Sequence, residues 1–487
     1  MPRPFAVLSL AMLLLAGCDR RPDSGPVIVS AIGAAPRLSD PDRSGLDTPE
    51  RMLIGATAQG LVRFDANGQI EPGLAERWIV IDGGTSYIFR LRDAEWSDGA
   101  PVTAGQVVAA LRGAIATRSR NGLAPYLTAV DEIVEMTPEV IEVRLGRPRP
   151  DLLKLFAQPE MAIFAGKPLR GSGPFRIVTS GRDTMLLRPA VDPGPDPDGD
   201  RPKPSPEADV RLIGERAARA VARFVARDSD MVAGGTFDDW PIVAAAGLAP
   251  LNIRVEPAAG LFGLAIVSRE GLLATAAARG AIAAAIDRTA IVGAFAPGWI
   301  EAEAILPEQL DSAAPPAPPI WSTLALARRR AAARTSIAAW RGANPGSPAR
   351  LQIALPRGSG SRILFAYLSN ALASVGIEAV RVGVDSDADL RLVDAVAPYD
   401  SARWYLNTAC AMCGDEAKAA LEAARTAPTL AERSARIAEA DAALAKDVAF
   451  VPIARPLRWS LVALRLAEWQ GNPRAWHPLN HLRSETK

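Results

Sequence analysis

Strand-like and helix-like patterns follow one another along this chain without strict alternation and without an internal repeat. Residues 86–91 and 140–145 alternate apolar and polar side chains, which is typical of half-buried strands. Thr103 is followed three residues later by Gln106, the pattern of a capping box at a helix start. This mixture predicts a fold of class α/β or α+β with several sheets.

Other segments carry weaker patterns of the same two kinds. Strand-like pieces occur at 26–33, 175–178, 184–187, 261–267, 350–355, 378–383 and 449–453. Residues 52–64 predict a short helix that ends in Gly60, and helical patterns occur at 214–228, 271–296, 361–375, 415–426 and 429–446. Residues 189–206 are mostly Pro, Asp and Gly, which predicts a surface loop.

Length and charge narrow the class of protein. With 487 residues the chain is too long for one core, and about three structural units are expected. The 55 Lys and Arg residues balance 54 Asp and Glu residues, which argues against a broad polycationic surface for nucleic acid. The chain has two histidines, so a His-rich metal site is excluded.

The first residues resemble a bacterial export signal. Arg3 precedes an apolar stretch, and residues 15–18 read LAGC, which is similar to a lipobox. We expect residues 1–17 to be a signal peptide, Cys18 to be lipidated, and residues 18–25 to form a tether. The alternative is an ordinary secretory signal with an incidental Cys. Asp19 favours an anchor in the inner membrane.

The remaining cysteines, Cys410 and Cys413, form a C-x-x-C pair. A structural disulfide or a free pair suits an exported protein. A redox site is an alternative, although no strand-then-helix setting of the thioredoxin kind surrounds the pair. A zinc site with His477 and His481 is a third, but the spacing is far from that of zinc fingers.

Five segments in order resemble the extracellular solute-binding proteins of family 5, the receptors of ABC importers for dipeptides, oligopeptides and nickel. They are GLVRFDANGQIEPGLAERW (60–78), SYIFRLR (86–92), WSDGAPVTAGQVV (96–108), GSGPFRI (171–177) and RGAIAAAIDRTAIV (279–292). Each segment alone is weak, and their order makes the resemblance specific.

The resemblance implies a clamshell of two lobes that close over a ligand, with an extra domain inserted in the first lobe. We place the first lobe at 26–50, 166–256 and 470–487, the inserted domain at 51–165, and the second lobe at 257–469. The implied function is that of a monomeric periplasmic receptor that delivers a peptide or similar small solute to an ABC permease. No cofactor, metal or nucleic acid is expected.

The resemblance also points to a ligand-contacting segment, APYDSARWYLNT at 397–408. Tyr399 and Tyr405 fit the family pattern, whereas Pro398 stands where the family has an Asp that pairs with a peptide amine. Pro cannot replace a carboxylate in that role. Asp400 or Asp394 could substitute, so recognition of an unmodified peptide is in doubt.

Further candidates follow from position. Trp404 and Tyr405 would point to opposite faces of a strand, so at most one would line the cleft, and packing in the core is the alternative. Asn407 lies in the same segment. Asp238 and Trp240 form a second candidate loop, with an exposed acidic turn as the alternative. Residues 31–38 are a third candidate.

Catalysis has little support, because the chain has no G-x-S-x-G elbow, no P-loop and no H-E-x-x-H motif. We therefore predict a binding protein rather than an enzyme. A relative that no longer transports, and acts as a sensor or in the cell envelope, is the main alternative. An exported redox or metal protein is the third.

Overall fold

The computed structural model describes residues 25–190 and 204–483. Outside these residues lie the predicted signal peptide, the predicted lipidation site Cys18, and most of the predicted tether and Pro-rich loop. The described strands are β1 Val27–Ile32, β2 Val62–Phe64, β3 Ile70–Pro72, β4 Ala75–Ile81, β5 Ser86–Leu91, β6 Val130–Thr137, β7 Val140–Leu145, β8 Phe175–Ser180, β9 Thr184–Pro189, β10 Val210–Glu215, β11 Met231–Thr236, β12 Ile253–Val255, β13 Gly260–Ile266, β14 Arg350–Ala354, β15 Glu378–Val382, β16 Leu390–Val396, β17 Phe450–Ala454 and β18 Arg458–Val462.

Twelve α-helices accompany these strands within the described residues. They are α1 Thr48–Thr57, α2 Ala104–Ile115, α3 Leu152–Phe156, α4 Ala217–Val225, α5 Trp240–Ala245, α6 Ala276–Ala285, α7 Arg288–Gly293, α8 Leu326–Ala343, α9 Ser359–Ala373, α10 Ala402–Ala409, α11 Asp415–Thr426 and α12 Leu430–Asp447.

Three main sheets organise the molecule. The first has seven strands in the order β12-β18-β11-β1-β10-β9-β8, with β1 parallel to both β10 and β11. The second has five strands in the order β15-β14-β16-β13-β17, and the third is the antiparallel sheet β4-β5-β7-β6. We call the units built on these sheets the first lobe, the second lobe and the inserted domain. The fold class α/β is confirmed.

Two short crossings connect the lobes. The chain passes from β12 to β13 through residues 256–259, and returns from β17 to β18 through residues 455–457. The backbone N–H of Glu256 donates to the Arg458 carbonyl at 2.9 Å, which joins the two crossings. Strand β18, which the sequence division places in the second lobe, pairs with β11 and β12 in the first.

Three hydrophobic clusters show how the units pack. One lies within the first lobe and contains Met52, Leu53 and Leu212. A second joins residues of the second lobe to Phe237 and Trp240 of the first. The third joins the inserted domain to residues 397–409 of the second lobe. The apolar cores therefore continue from one unit into the next, and the lobes are in contact.

Several predicted elements are confirmed, and the differences come from capping. Strand β7 and helix α11 have the predicted bounds, and Thr103 and Gln106 form the predicted capping box of α2. The single helix predicted at 271–296 is wrong, because Asp287 caps a new helix by accepting from Ala290 N at 3.0 Å. Helix α1 starts before the predicted 52–64 segment, where Asp47 and Glu50 form a capping box.

Candidate functional site

The segment between β16 and α10 lies where the inserted domain meets the second lobe. Gln158 of the inserted domain donates from Nε2 to the Pro398 carbonyl at 2.6 Å. Lys154, on α3, forms an ion pair with Asp400, and Arg474 pairs with the other carboxylate oxygen of Asp400. Residues far apart in sequence therefore hold this segment in place.

The two carboxylates considered as substitutes for the missing Asp are both ion-paired within the protein. Burial opposes ionisation of Asp400, but Arg474 and Lys154 outweigh it and lower its pKa. Asp394 accepts from Nη1 of Arg458 at 2.7 Å, and burial raises the pKa of Asp394. Both carboxylates are therefore already paired with cations of the protein, and neither is left unpaired for a ligand amine.

The aromatic candidates are buried. The expectation of a strand at Trp404 and Tyr405 is wrong: both lie on α10, where neighbouring side chains are about 100° apart rather than on opposite faces. Both rings belong to the cluster shared with the inserted domain, and burial raises the pKa of Tyr405 to about 12. Tyr399 packs edge-on against Tyr126 of the inserted domain, with centroids 5.8 Å apart. Asn407 is half-buried on the same helix.

The second candidate loop is a contact between the lobes. Asp238 follows β11 of the first lobe, and its Oδ1 accepts from Ser361 N at 2.7 Å, at the start of α9 in the second lobe. Helix α9 has no cap from its own side chains, so Asp238 caps it across the cleft. Trp240 is buried in the cluster that spans both lobes. The interpretation as an exposed acidic turn does not describe this loop.

Close approach at this contact depends on glycine. A Cβ on Gly358 would lie 1.9 Å from Oδ2 of Asp238, and a Cβ on Gly360 would lie 2.1 Å from the Phe237 carbonyl oxygen. Beside it, burial raises the pKa of Asp239 to about 6, and the charge of Asp238 adds to the shift. The first lobe thus meets the helix N-terminus through Asp238, which accepts from Ser361 N with its side chain and from Gly360 N with its carbonyl.

The third candidate, residues 31–38, leads into α1. Gly33 N donates to the Glu215 carbonyl at 3.1 Å, and Ala34 N donates to Oδ2 of Asp47 at 2.8 Å. Leu38 packs against the first-lobe cluster. The structure ties this segment to its own lobe.

The structure separates the residues of the zinc alternative. Cys410 and Cys413 are joined as a disulfide with Cα atoms 5.2 Å apart. His477 contacts Oε1 of Glu256 at 2.7 Å, and His481 contacts Glu71 at 3.0 Å. Within residues 25–190 and 204–483, no group of three or more His, Cys, Asp and Glu side chains is arranged to hold a metal ion.

Sequence reasoning missed two buried arginines beside the candidate segment. Arg149 lies in the loop after β7, and Arg403 lies on α10. They are 6% and 3% exposed, and several of their guanidinium nitrogens have no hydrogen-bond partner among the described residues. The one signal was the positive charge of Arg403 directly before two aromatic residues, Trp404 and Tyr405.

None of the helices in the described parts of the chain is long and apolar enough to cross a membrane.

Comparison with known proteins agrees with this architecture. Residues 69–408 match the family model "Bacterial extracellular solute-binding proteins, family 5 Middle". The chain belongs to this family.

Among curated relatives, this family 5 protein is 38% identical over 93 residues to the "Probable deoxycholate-binding periplasmic protein YgiS" of Escherichia coli. It is 34% identical over 124 residues to the "Periplasmic oligopeptide-binding protein OppA" of Haemophilus influenzae. These matches cover 19% and 25% of the chain, and span only 17% and 22% of the two relatives.

A solved structure matches over nearly its full length. The crystal structure of Haemophilus influenzae OppA in complex with RPPGFSPFR has a TM-score of 0.78 with this family 5 protein. The identity is 18%, and the match covers 94% of this chain and 99% of OppA. The likeness establishes a shared fold.

Proposed function

We propose that this protein is a periplasmic receptor that holds a peptide or similar small solute between its lobes and delivers it to an ABC importer. Membership of the solute-binding family is the observation that carries the proposal. Two lobes joined by two short crossings support it, because such crossings can act as a hinge. The protein then acts by binding and closing rather than by catalysis.

The proposed ligand-binding surface comprises the segment at 397–407 and the loop at 238–240. The first is contacted by the inserted domain through Gln158, and the second caps α9 from the opposite lobe. Both lie at contacts between units, where ligand pockets concentrate. We propose Tyr399, Asp400, Trp404, Tyr405, Asn407, Asp238 and Trp240 as the residues that line or support this surface.

We keep the proposed division of the chain with two changes: strand β18 moves to the first lobe because it pairs there, and residues 51–57 of α1 move there because Met52 and Leu53 pack in the first-lobe cluster. The protein is proposed to work as a monomer anchored by lipid at Cys18. Expression of the full chain in bacteria and partition into detergent tests the anchor. Cys18→Ala is expected to move the protein to the aqueous phase, and an unchanged partition would refute lipidation.

Native mass spectrometry of residues 19–487, purified without refolding, tests the function. We expect a co-purified small molecule of defined mass, or binding to one member of a panel of peptides and deoxycholate. Small-angle scattering should then show a more compact particle with the ligand. A bare protein that neither binds nor compacts would instead favour a relative that no longer transports.

A further inference from the structure

We propose that Arg149, Arg403 and the hydroxyl of Tyr399 bind an anionic group of the solute, a carboxylate or a phosphate. This inference rests on the proposed function and names the class of ligand for it. The relevant observation is a set of buried, unpartnered donors brought together from two units of the molecule.

Two units supply the donors. The loop between β7 and α3 of the inserted domain carries Arg149, and its backbone carbonyl accepts from the Tyr87 hydroxyl at 2.6 Å. Tyr399 and Arg403 come from the second lobe, at and just before the first turn of α10. The edge-on contact of Tyr126 with Tyr399 joins the same two units. The donors therefore meet only when the inserted domain and the second lobe are in contact.

The donors are buried and free. Nε and Nη2 of Arg149 have no hydrogen-bond partner among the described residues, nor have Nε and Nη1 of Arg403. The same holds for the hydroxyl of Tyr399, which is 1% exposed. Nε and Nη2 form the side of a guanidinium that grips two oxygens of one carboxylate or phosphate at once.

Positive charge is in excess here. Burial lowers the pKa of Arg149 to about 10, and the neighbouring charge of Arg403 adds to the shift. Arg433, whose charge also acts on Arg149 and Arg403, is paired with Asp311 at 2.8 Å. An unpaired buried cation is unfavourable, so a ligand anion in this position stabilises the closed contact.

Structural arginines elsewhere in the second lobe look different. Arg279 is as deeply buried, yet it donates to the Leu273 carbonyl, to the Asp447 carbonyl and to the Asp447 carboxylate at 2.6–3.0 Å. Arg288 is equally buried, donates from Nε and Nη1 to the Ala302, Pro452 and Ala283 carbonyls, and has Nη2 without a partner among the described residues. Arg149 and Arg403 lack such partners, which indicates that their partner comes from outside the chain.

Matched probes test the proposal in the soluble protein. N-acetyl-tri-alanine and its C-terminal amide differ only in the carboxylate, and glycerol 3-phosphate and glycerol differ only in the phosphate. Binding is measured by calorimetry and thermal shift at constant ionic strength. We expect wild-type protein to bind at least one anionic probe, at least about tenfold more tightly than its neutral counterpart. Whichever probe binds identifies the carboxylate or the phosphate as the source.

Variants assign the effect to residues. Arg149→Gln and Arg403→Gln should each lower the affinity for the anionic probe by about tenfold or more. Arg149→Lys and Arg403→Lys keep the positive charge but lose the forked guanidinium. Their affinities for the anionic probe should lie between those of the wild type and the Gln variants. Arg425→Gln is the matched control, because Arg425 is an exposed neighbour already paired with Glu422. The control should retain wild-type affinity.

The outcomes separate the two proposals. If a neutral probe binds as tightly as its anionic counterpart, or if the Gln variants keep wild-type affinity, the anion site is wrong and the receptor function stands. If the wild type binds no probe of either kind and does not compact, both proposals fail. An anionic preference lost in both Gln variants supports both.

Discussion

Buried arginines in two regions of this molecule have opposite surroundings. In the second lobe, Arg279 joins α6 to the end of α12 through Asp447, and every nitrogen of its guanidinium donates a hydrogen bond. At the contact between the inserted domain and the second lobe, Arg149 and Arg403 have nitrogens without hydrogen-bond partners in the described parts of the chain. The difference teaches that burial alone does not define a role. Arg279 holds the fold together through its bonds, and the role that we propose for Arg149 and Arg403 is to bind a ligand.

The same contrast occurs between two carboxylates of α12. Burial opposes ionisation of Asp447, but Arg269, Gly414 N and Arg279 outweigh it and lower its pKa. Among residues 25–190 and 204–483, Asp441 accepts only from Ala317 N at 2.7 Å, and burial raises its pKa to about 6. One helix therefore carries both a compensated and an uncompensated buried acid.

The largest effect should come from breaking the compensated pair. Arg279→Met removes the guanidinium and its bonds, and we expect a loss of about 3–5 kcal/mol in the free energy of unfolding. Urea denaturation followed by circular dichroism measures it. Arg436→Met, an exposed arginine on α12, is the control and should change stability by less than about 1 kcal/mol. Equal effects of the two variants would contradict the comparison.

A smaller and pH-dependent effect should come from Asp441→Asn. The folded protein binds the Asp441 proton more tightly than the unfolded chain, whose pKa is near 3.8. The contribution of Asp441 to the free energy of unfolding is therefore largest below about pH 4. It declines as pH rises towards 6 and is constant above that. The difference is about 2–3 kcal/mol at pH 7.

Melting temperatures of the wild type and Asp441→Asn from pH 4 to 8 test this sign. As pH rises through that interval, the melting temperature of Asp441→Asn should increase relative to that of the wild type. Glu439→Gln removes an exposed charge from the same helix and should show no such trend. Parallel curves for wild type and Asp441→Asn would show that Asp441 titrates normally.

A third variant tests compensation across the cleft. Asp238→Ala removes the cap that the first lobe supplies to α9, which should reduce stability by about 1 kcal/mol and favour the open form. Small-angle scattering of the ligand-free protein should report a larger radius of gyration. Asp238→Asn keeps an acceptor oxygen and should behave as the wild type does. If Asp238→Asn opens the protein as far as Asp238→Ala, charge rather than capping holds the contact.

The smallest effect should come from Arg403→Met in the ligand-free protein. Removing an unpaired buried charge should leave the free energy of unfolding unchanged or raise it by about 1 kcal/mol. The same denaturation experiment measures it beside Arg279→Met. A loss above about 2 kcal/mol would place Arg403 with the structural arginines.

The sequence predicted the elements whose signals are local. Thr103 and Gln106 marked the start of α2, and alternation marked both ends of β7, because capping and periodicity depend on near neighbours. The five ordered motifs identified the family, and the fold followed from it. Helix α10 was missed, since a short segment rich in aromatic residues reads equally well as a strand.

The site was predictable only in part. Residues 397–407 were proposed from the family pattern, and as a ligand-binding segment they stay a prediction; in the fold they lie at a contact between units. The partners that neutralise Asp400 come from positions 154 and 474, so no local pattern could show that its charge is already used. The unpartnered donors of Arg149 among the described residues could not be predicted from the sequence either, because whether a donor finds a partner depends on the packing of the whole molecule.

The position of β1 has a mechanical consequence. The described chain enters the first lobe at Gly25, and β1 follows at once in the interior of the seven-stranded sheet, between β10 and β11. Six residues of β1 pair with β10 and three pair with β11, all in parallel. A pull on the N-terminal end would therefore load both ladders together in shear instead of opening them one bond at a time. If Cys18 is lipidated as proposed, the anchor would hold the first lobe, and closure would move the second lobe relative to it.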